Sequence, residues 1–268
     1  RYHAQAAPLK AIMLALLDLL KPAELEKGQP LKLGEWDAER IRCIEDESRG
    51  RWQIHGDAGL KALGLRLLAA GAPGSMPQPL GLGLQLRSYQ LHGLAWLQYL
   101  REQGLAGILA DDMGLGKTAQ ALAHLWAEKL AGRLDRPALV IVPTSLLFNW
   151  QQEAARIAPG LKVLTWHGAG RAGVDLACAD VVLSTYNLVW RDLRALSAQP
   201  WHLLILDEAQ AVKNAHARAA RALRRLDARH RLALTGTPLE NHLGELWALF
   251  DLLMPGFLGD SRAFARHW

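Results

Sequence analysis

From residue 107 onwards, short apolar runs alternate with longer stretches of helical periodicity, and this alternation constrains the fold more than any other feature. Runs that are apolar on both faces are typical of strands in a parallel sheet that is covered on both sides. The predicted strands span residues 107–110, 138–142, 162–165, 180–184, 203–206 and 231–234. The predicted helices between them span 118–130, 146–157, 215–226 and 244–253. The pattern therefore predicts an α/β fold with a parallel sheet sandwiched between two layers of helices.

The first 80 residues have a different pattern, which predicts a small, helix-rich accessory domain. Residues 11–20 and 58–70 are predicted helices, and residues 40–44 and 51–55 are the strands of a possible hairpin. The Gly- and Pro-rich segment 71–79 then indicates a domain boundary. We accordingly divide the chain into an accessory domain with its linker at 1–80 and an α/β lobe at 81–268.

Composition narrows the class of protein. The two cysteines, Cys43 and Cys178, have no C-x-x-C spacing, so neither a zinc site nor a disulfide framework is indicated, and a cytoplasmic location is expected. The longest apolar run, residues 11–20, is too short to cross a bilayer, so no membrane partner is expected. A net charge of +5 is compatible with a nucleic-acid partner without establishing one. Because the sequence starts at Arg1 and stops at Trp268, we expect a piece of a longer protein.

The segment Asp111–Thr118, of sequence DDMGLGKT, lies between a predicted strand and a predicted helix. This context favours a phosphate-binding loop, with Lys117 reaching the β- and γ-phosphates and the Thr118 hydroxyl binding Mg²⁺. Asp111 occupies the place of the first glycine in the general pattern. The alternative, a glycine-rich turn with a chance lysine, is disfavoured by the strand–turn–helix context. The loop residues predicted to bind the nucleotide are Met113, Gly114, Leu115, Gly116, Lys117 and Thr118.

Two acids, Asp207 and Glu208, end another apolar run. Parallel sheets bind ligands at the carboxyl ends of their strands, so these acids should face the same nucleotide. Asp207 is predicted to hold Mg²⁺, and Glu208 to orient and deprotonate the attacking water. Taken alone, the two acids could instead stabilise a helix N-terminus through its dipole. The phosphate loop favours the catalytic interpretation.

Further motifs follow in an order that resembles SWI/SNF-type ATPases of helicase superfamily two. The segment 86–93 (LRSYQLHG) resembles their glutamine motif, and 142–150 (VPTSLLFNW) and 184–187 (STYN) resemble two further blocks. The segment 234–241 (LTGTPLEN), which continues into 245–247 (ELW), is the most specific match. The resemblance covers about residues 84–260 and implies a RecA-like P-loop NTPase lobe that binds ATP and Mg²⁺.

The resemblance also implies roles outside the phosphate loop. Arg87 and Gln90 would bind the adenine base, and Gln210 would join Lys117, Asp207 and Glu208 in the catalytic set by relaying the state of the γ-phosphate. Thr235 and Thr237 would couple nucleotide state to movement of the lobe, with a tight turn after a strand as the alternative. The residues implied to lie near the DNA backbone are Thr144, Ser145, Thr185 and Asn187, although each could equally be a helix-cap or turn residue.

The activity that the resemblance implies is Mg²⁺-dependent ATP hydrolysis, stimulated by double-stranded DNA and used for translocation or for remodelling protein–DNA complexes. Family members need a second RecA-like lobe from the same full-length chain to supply arginines to the γ-phosphate, so we expect this chain alone to be weakly active or inactive. A strand-separating helicase and a non-catalytic nucleotide-binding module are the alternatives. Further expectations are a nucleoid-associated location, if the chain is bacterial, and protein partners for the accessory domain.

Several residues receive structural interpretations only. Trp96, Trp126, Trp150 and Trp247 lie in apolar helical patterns and are predicted to pack in cores. His202 and His230 flank predicted strands and receive no role. Arginines recur with helical spacing and predict either a solvated helix face or a stripe that follows phosphates; they are Arg218, Arg221, Arg225 and Arg229.

Overall fold

The computed structural model describes residues 73, 76–171, 173–212, 218–238, 243–255 and 264. These residues belong to one compact unit that begins at Pro73. The predicted helices and hairpin within residues 1–70 lie outside the described residues. The accessory domain and the boundary at residue 80 therefore stay predictions.

Strands and helices alternate along the described part of the chain. The strands are β1 (Gly107–Leu109), β2 (Ala138–Val142), β3 (Val163–Thr165), β4 (Val181–Thr185), β5 (Trp201–Asp207) and β6 (Ala228–Leu234). The helices are α1 (Ser88–Gln103), α2 (Lys117–Leu130), α3 (Leu147–Ile157), α4 (Tyr186–Arg191), α5 (Leu193–Ser197), α6 (Arg218–Arg224) and α7 (Leu243–Leu253). Short 3₁₀ turns occur at Thr144–Leu146, Ala169–Arg171, Leu176–Cys178 and Ala209–Val212.

All six predicted strands form, and they build one parallel sheet in the order β1-β6-β5-β2-β4-β3. β5 and β6 begin earlier than predicted, because His202 in β5 and Arg229 and His230 in β6 interrupt the apolar pattern. At the other end of these strands, Leu109 of β1 pairs with Leu234 of β6, and Leu234 pairs with Asp207 of β5. The loops that follow β1, β5 and β6 therefore leave the sheet side by side.

Apolar residues cover both faces of the sheet. Leu203 and Ile205 join a core cluster with residues of α1, α2 and α3. Leu204 and Leu206, which point to the other face because strand residues alternate, are also completely buried. The described part of the chain is thus a sheet between two layers of helices, and the α/β prediction is confirmed.

Two predictions about the placement of side chains are wrong. Trp96 is 37% exposed on α1 and does not pack in the core, whereas Trp150 is buried as predicted. The four arginines with helical spacing do not share a helix face, since α6 ends at Arg224 and Arg229 lies in β6, where it pairs with Asp135.

None of the described helices is long and apolar enough to cross a membrane.

A buried polar cluster, hereafter the Glu128 cluster, lies where β5 and β6 begin. Glu128 of α2 is completely buried and accepts hydrogen bonds from Gln98 (3.1 Å), Arg133 (2.6 Å) and His202 (3.1 Å). Burial acts to raise the pKa of the Glu128 carboxyl, but the hydrogen bonds from His202 and Arg133 hold this pKa well below its usual range. Because the His202 Nε2–H donates to Glu128, His202 has a structural role that its sequence position did not predict.

Two further histidines complete the Glu128 cluster in their neutral forms. The Nδ1 atom of His124 accepts a hydrogen bond of 2.9 Å from the Gln98 amide, and the ring of His230 packs edge-on against the ring of His202. Burial lowers the pKa of both His124 and His230 to about 4. The buried Glu128 carboxylate and the groups around it therefore connect α1 and α2 with the first residues of β5 and β6.

Candidate functional site

The loops after β1 and β5 border a cleft of about 350 Å³ at the carboxyl edge of the sheet. Its lining residues come from the loop after β1 and the first residues of α2, from the segment between Leu146 and Glu153, and from the Asp207–Glu208 pair. The side chains with polar groups in its lining are Lys117, Thr118, Asn149, Trp150, Glu153, Asp207 and Glu208. The phosphate loop and the two acids, predicted separately, are thus brought together.

The loop between β1 and α2 has a conformation that requires glycine. Gly114 has a φ of 84° and Gly116 a φ of 79°, in the left-handed region that disfavours side chains. A Cβ atom on Gly116 would also lie 2.5 Å from the Gln90 amide nitrogen. Lys117 begins α2, and its Nζ donates to the carbonyl oxygens of Asp111 (2.7 Å) and Asp112 (3.1 Å), which holds the ammonium group over the loop.

Gln90 joins the beginning of α1 to the same loop. Its Oε1 accepts from the backbone N–H of Arg87 at 2.9 Å, and its Nε2 donates to the Leu115 carbonyl at 3.1 Å. The hydroxyl of Tyr89 donates to the same carbonyl at 3.2 Å. A primary amide has two donor hydrogens and two acceptor lone pairs, so Gln90 keeps one of each for a ligand. The Arg87 side chain is exposed beside it.

Asp207 is only 6% exposed and is held from two sides. The indole N–H of Trp150 donates to Oδ2 at 2.7 Å, and the backbone N–H of Glu208 donates to Oδ1 at 3.0 Å. The hydroxyl of Tyr186 donates to the Asp207 carbonyl at 2.7 Å. Burial raises the pKa of the Asp207 carboxyl, and the hydrogen bond from Trp150 acts in the opposite direction.

A line of hydrogen bonds runs from Glu208 to the loop after β6. The Gln210 amide nitrogen donates to the Glu208 carboxylate at 2.5 Å, and its oxygen accepts from the Thr235 hydroxyl at 2.8 Å. The Thr235 oxygen accepts in turn from the backbone N–H of Thr237 at 3.1 Å. Gly236 lies between them, and a Cβ atom there would come within 2.9 Å of Met113 in the phosphate loop. Residues from all three loops are therefore in contact.

The residues in the cleft fit a nucleoside triphosphate with Mg²⁺. The loop supplies backbone N–H groups at a helix N-terminus and one ammonium group, which is the chemistry that binds phosphate. The Thr118 hydroxyl and the Asp207 carboxylate supply hard oxygen ligands in the same lining. Among the described residues, no group of three or more His, Cys, Asp or Glu could hold a metal alone. The donor set thus suits Mg²⁺ bound by few protein groups together with substrate phosphates.

The four residues implied to lie near DNA follow β2 and β4, which are neighbours in the sheet. Thr144 and Ser145 are exposed in the turn after β2, and Asn187 is exposed in α4. Thr185, the last residue of β4, is 2% exposed, so its hydroxyl does not face solvent. These positions share an edge of the sheet with the cleft but do not line it.

Gln120 and Trp150 hold acids of the site, although neither of them received a functional role from the sequence. Gln120 of α2 is completely buried, and its Nε2 donates to the Asp111 carboxylate at 2.8 Å, so it holds the acid that replaces the first glycine of the loop. The sequence signal that could have indicated its role is its position three residues after Lys117, on the buried side of α2. Trp150 was assigned only to the core, and no local signal connects it with an acid 57 residues away.

A family model described as the SNF2-related domain matches residues 89–268. YwqA of Bacillus subtilis (strain 168), named as a candidate ATP-dependent helicase/translocase, is 47% identical over 188 residues, which is 68% of this chain and 20% of YwqA. The ISWI chromatin-remodeling complex ATPase ISW2 of Saccharomyces cerevisiae is 40% identical over 187 residues, or 67% of this chain and 17% of ISW2.

Among solved structures, the Sulfolobus solfataricus SWI2/SNF2 ATPase core in complex with double-stranded DNA is similar, with a TM-score of 0.68 at 37% identity. The match covers 72% of this chain and 41% of that one. This similarity confirms the RecA-like fold that the sequence motifs predicted. The chain spans about a fifth of the length of these curated relatives.

Proposed function

The chain belongs to the SNF2-related family, and from this premise we propose that it is the nucleotide-binding lobe of an ATPase that moves along double-stranded DNA or remodels complexes bound to it. One observation carries the proposal: the phosphate loop and the Asp207–Glu208 pair meet in one cleft. A non-catalytic scaffold would not need this pairing of a phosphate-binding ammonium group with two carboxylates.

In the proposed reaction, Lys117 exchanges its two loop carbonyls for phosphate oxygens of ATP. Thr118 and Asp207 hold Mg²⁺, which neutralises charge on the phosphates when it is bound. Glu208 orients the attacking water and accepts its proton as the oxygen bonds to the γ-phosphorus, so that ADP and inorganic phosphate are the products. Gln90 and Arg87 bind the adenine edge.

Gln210 has the contacts needed to report this reaction to the rest of the lobe. Its amide touches both the Glu208 carboxylate and the Thr235 hydroxyl, so a change at the γ-phosphate that moves Glu208 also disturbs the loop after β6. Thr235 and Thr237 are the coupling residues in this proposal. The contact between Gly236 and Met113 supports it, because the same loop lies against the phosphate loop.

DNA is the proposed second ligand, bound at the edge formed by the ends of β2 and β4. The exposed hydroxyl and amide groups of Thr144, Ser145 and Asn187 suit contacts with backbone phosphates, which position a duplex without reading its sequence. A related core, the one from Sulfolobus solfataricus, was solved with double-stranded DNA. The buried side chain of Thr185 does not offer its hydroxyl for such a contact.

The test is ATP hydrolysis by the full-length protein that contains this chain, without nucleic acid and with duplex DNA, single-stranded DNA or RNA. We expect stimulation by the duplex and its loss in Glu208→Gln, with ATP binding retained. Glu153→Gln is a matched control, because Glu153 lines the same cleft but is already paired with Arg156. Stimulation by single strands or RNA alone would contradict the duplex assignment, and no hydrolysis at all would leave a nucleotide-binding scaffold.

A further inference from the structure

Trp150 makes a polar contact that core packing does not require. It lies on α3 and is 1% exposed, and its side chain packs in the core cluster with Ala154 and Ile157 of the same helix. Its indole N–H nevertheless points out of this apolar surrounding to the Asp207 carboxylate, at 2.7 Å. The contact thus joins α3 to the acid that is proposed to hold Mg²⁺.

The path of the chain fixes this contact. β2 and β5 are adjacent in the sheet, and Ile141 pairs with Leu206, so β2 ends beside Asp207. After β2 the chain makes one 3₁₀ turn and begins α3 at Leu147, which places the first turn of the helix over the end of β5. Asp207 points to this face because it alternates with Leu203 and Ile205, which lie in the same core cluster.

The two hydrogen bonds on Asp207 leave an acceptor site on each carboxylate oxygen for a ligand. A carboxylate has about four acceptor sites, and here each oxygen uses one of them, for Trp150 and for the backbone of Glu208. An indole can only donate, and a packed indole cannot turn away, so Trp150 fixes the orientation of the Asp207 carboxyl group. Groups that hold a metal ligand in this way typically change metal affinity about 10- to 100-fold when they are removed.

We propose that Trp150 is a positioning residue for Mg²⁺, which sets the Mg²⁺ concentration at which this lobe binds ATP by holding the Asp207 carboxylate in place. This inference rests on the proposed function, since it assumes that Asp207 binds Mg²⁺ with ATP. A Trp that serves only the core can place its indole N–H on a backbone carbonyl instead of a carboxylate. Trp201 is such a residue: it is completely buried and donates to the Leu196 carbonyl at 2.9 Å.

The experiment is calorimetric titration of ATP into the 268-residue chain over a series of Mg²⁺ concentrations. We expect Trp150→Phe to raise the Mg²⁺ concentration for half-maximal ATP binding about tenfold, while ATP affinity at saturating Mg²⁺ changes by less than about threefold. The matched control is Trp201→Phe, which also removes a buried indole N–H and should leave the Mg²⁺ midpoint unchanged. In an Asp207→Asn background, Trp150→Phe should produce no additional shift.

Equal Mg²⁺ midpoints for wild type and Trp150→Phe would overturn the inference, and so would equal shifts in the two Trp variants. If the wild-type chain bound no ATP at any Mg²⁺ concentration, the proposed function itself would fail instead. A measurement on a second variant avoids dependence on the folding of Trp150→Phe. In Asp207→Asn, the NMR resonance of the Trp150 indole N–H should shift because its charged acceptor is lost, whereas that of Trp201 should not; an unmoved Trp150 resonance would also overturn the inference.

Discussion

Glu208 has a backbone conformation that is unusual for its residue type. Its φ is 47°, and it is the one non-glycine residue with positive φ in the part of the chain that the structure describes. Such a conformation costs on the order of 1 kcal/mol or more and persists only where neighbours enforce it. Here the neighbours are the Asp207 carboxylate, which accepts the Glu208 backbone N–H, and the Gln210 amide. In this conformation Glu208 lines the cleft.

The hydroxyl of Thr235 joins Gln210 to the loop after β6 through a hydrogen bond of 2.8 Å. We predict that Thr235→Val lowers DNA-stimulated ATP hydrolysis about tenfold, because the Gln210 oxygen loses a buried donor and no longer holds its position. ATP affinity should change by less than about twofold, since Thr235 does not line the cleft. Steady-state kinetics with the full-length protein and direct binding of ATP would measure both quantities.

Thr235→Ser is the control for this prediction, because serine keeps the hydroxyl and loses only a methyl group. It should retain most of the hydrolysis rate. Equal losses in the Val and Ser variants would show that packing around the completely buried Thr235, and not its hydrogen bond, is what matters.

At the scale of elements, the first residues of β5 and β6 are joined to α2 through the Glu128 cluster. The titratable and charged groups around His124 are Glu128, His202, His230 and Arg101. Burial lowers the pKa of His124 to about 4, from an unfolded value of 6.5. Between these two values the folded chain binds fewer protons than the unfolded chain, so its stability increases with pH.

We therefore predict that the free energy of unfolding is highest above about pH 6.5 and falls as the pH decreases towards 4, by up to ~3 kcal/mol from His124. The lowered pKa of the Glu128 carboxyl also makes the free energy of unfolding fall with decreasing pH, at pH values below the usual glutamate pKa. Urea unfolding at a series of pH values would measure this dependence. His124→Asn should reduce it, and the same change at exposed His167 should not. A pH dependence that His124→Asn leaves intact would contradict the assignment.

The segment before α1 closes the carboxyl end of α3. The backbone N–H of Gly83 donates to the Ile157 carbonyl at 2.7 Å, which satisfies an acceptor that the helix leaves free at its last turn. A Cβ atom on Gly83 would lie 1.9 Å from the Arg156 carbonyl oxygen. The chain passes here so closely that only glycine fits.

Gly83→Ala should consequently lower the free energy of unfolding by about 1–3 kcal/mol, the usual cost of overpacking. Thermal or urea unfolding measures this change. Gly170→Ala is the control, because a Cβ atom there would meet nothing within 4 Å. A Gly83→Ala variant as stable as wild type would mean that this segment is not held against α3 in solution.

At the scale of the whole molecule, the cleft has too little positive charge for fast phosphoryl transfer. Among the described residues that line it, Lys117 is the only cation. Arginine supplied to the γ-phosphate by a second lobe or a partner is worth about 10³-fold or more in related reactions. A second RecA-like lobe, which the family resemblance implies, would supply this missing charge.

The 268-residue chain should therefore bind ATP but hydrolyse it at least about 10³-fold more slowly than the full-length protein with duplex DNA. Single-turnover and steady-state assays on both proteins would give the ratio, with Lys117→Ala as the control that abolishes binding. A turnover of about 1 s⁻¹ or faster by the chain alone would show that it needs no second lobe.

The sequence by itself determined the sheet, and it predicted the glycine-rich loop at 111–118 and the two acids at the end of a strand. Each of these depends on local chemistry: apolar runs form buried strands, glycines permit positive φ, and the end of a parallel strand presents its last residues to a ligand. Lys117, Asp207 and Glu208 could be placed at one edge of the sheet because that rule holds for every parallel strand. The order of motifs then identified the family.

Only the tertiary structure decided which distant residues support the site. Three sets of hydrogen bonds depend on how strands and helices lie beside one another. They connect Trp150 with Asp207, Gln120 with Asp111, and Glu208 through Gln210 with Thr235. Periodicity predicts that the Trp150 side chain is buried, but it does not predict which acceptor its indole N–H will contact. For the same reason His202, beside an apolar run, gave no sign of the buried carboxylate that it binds.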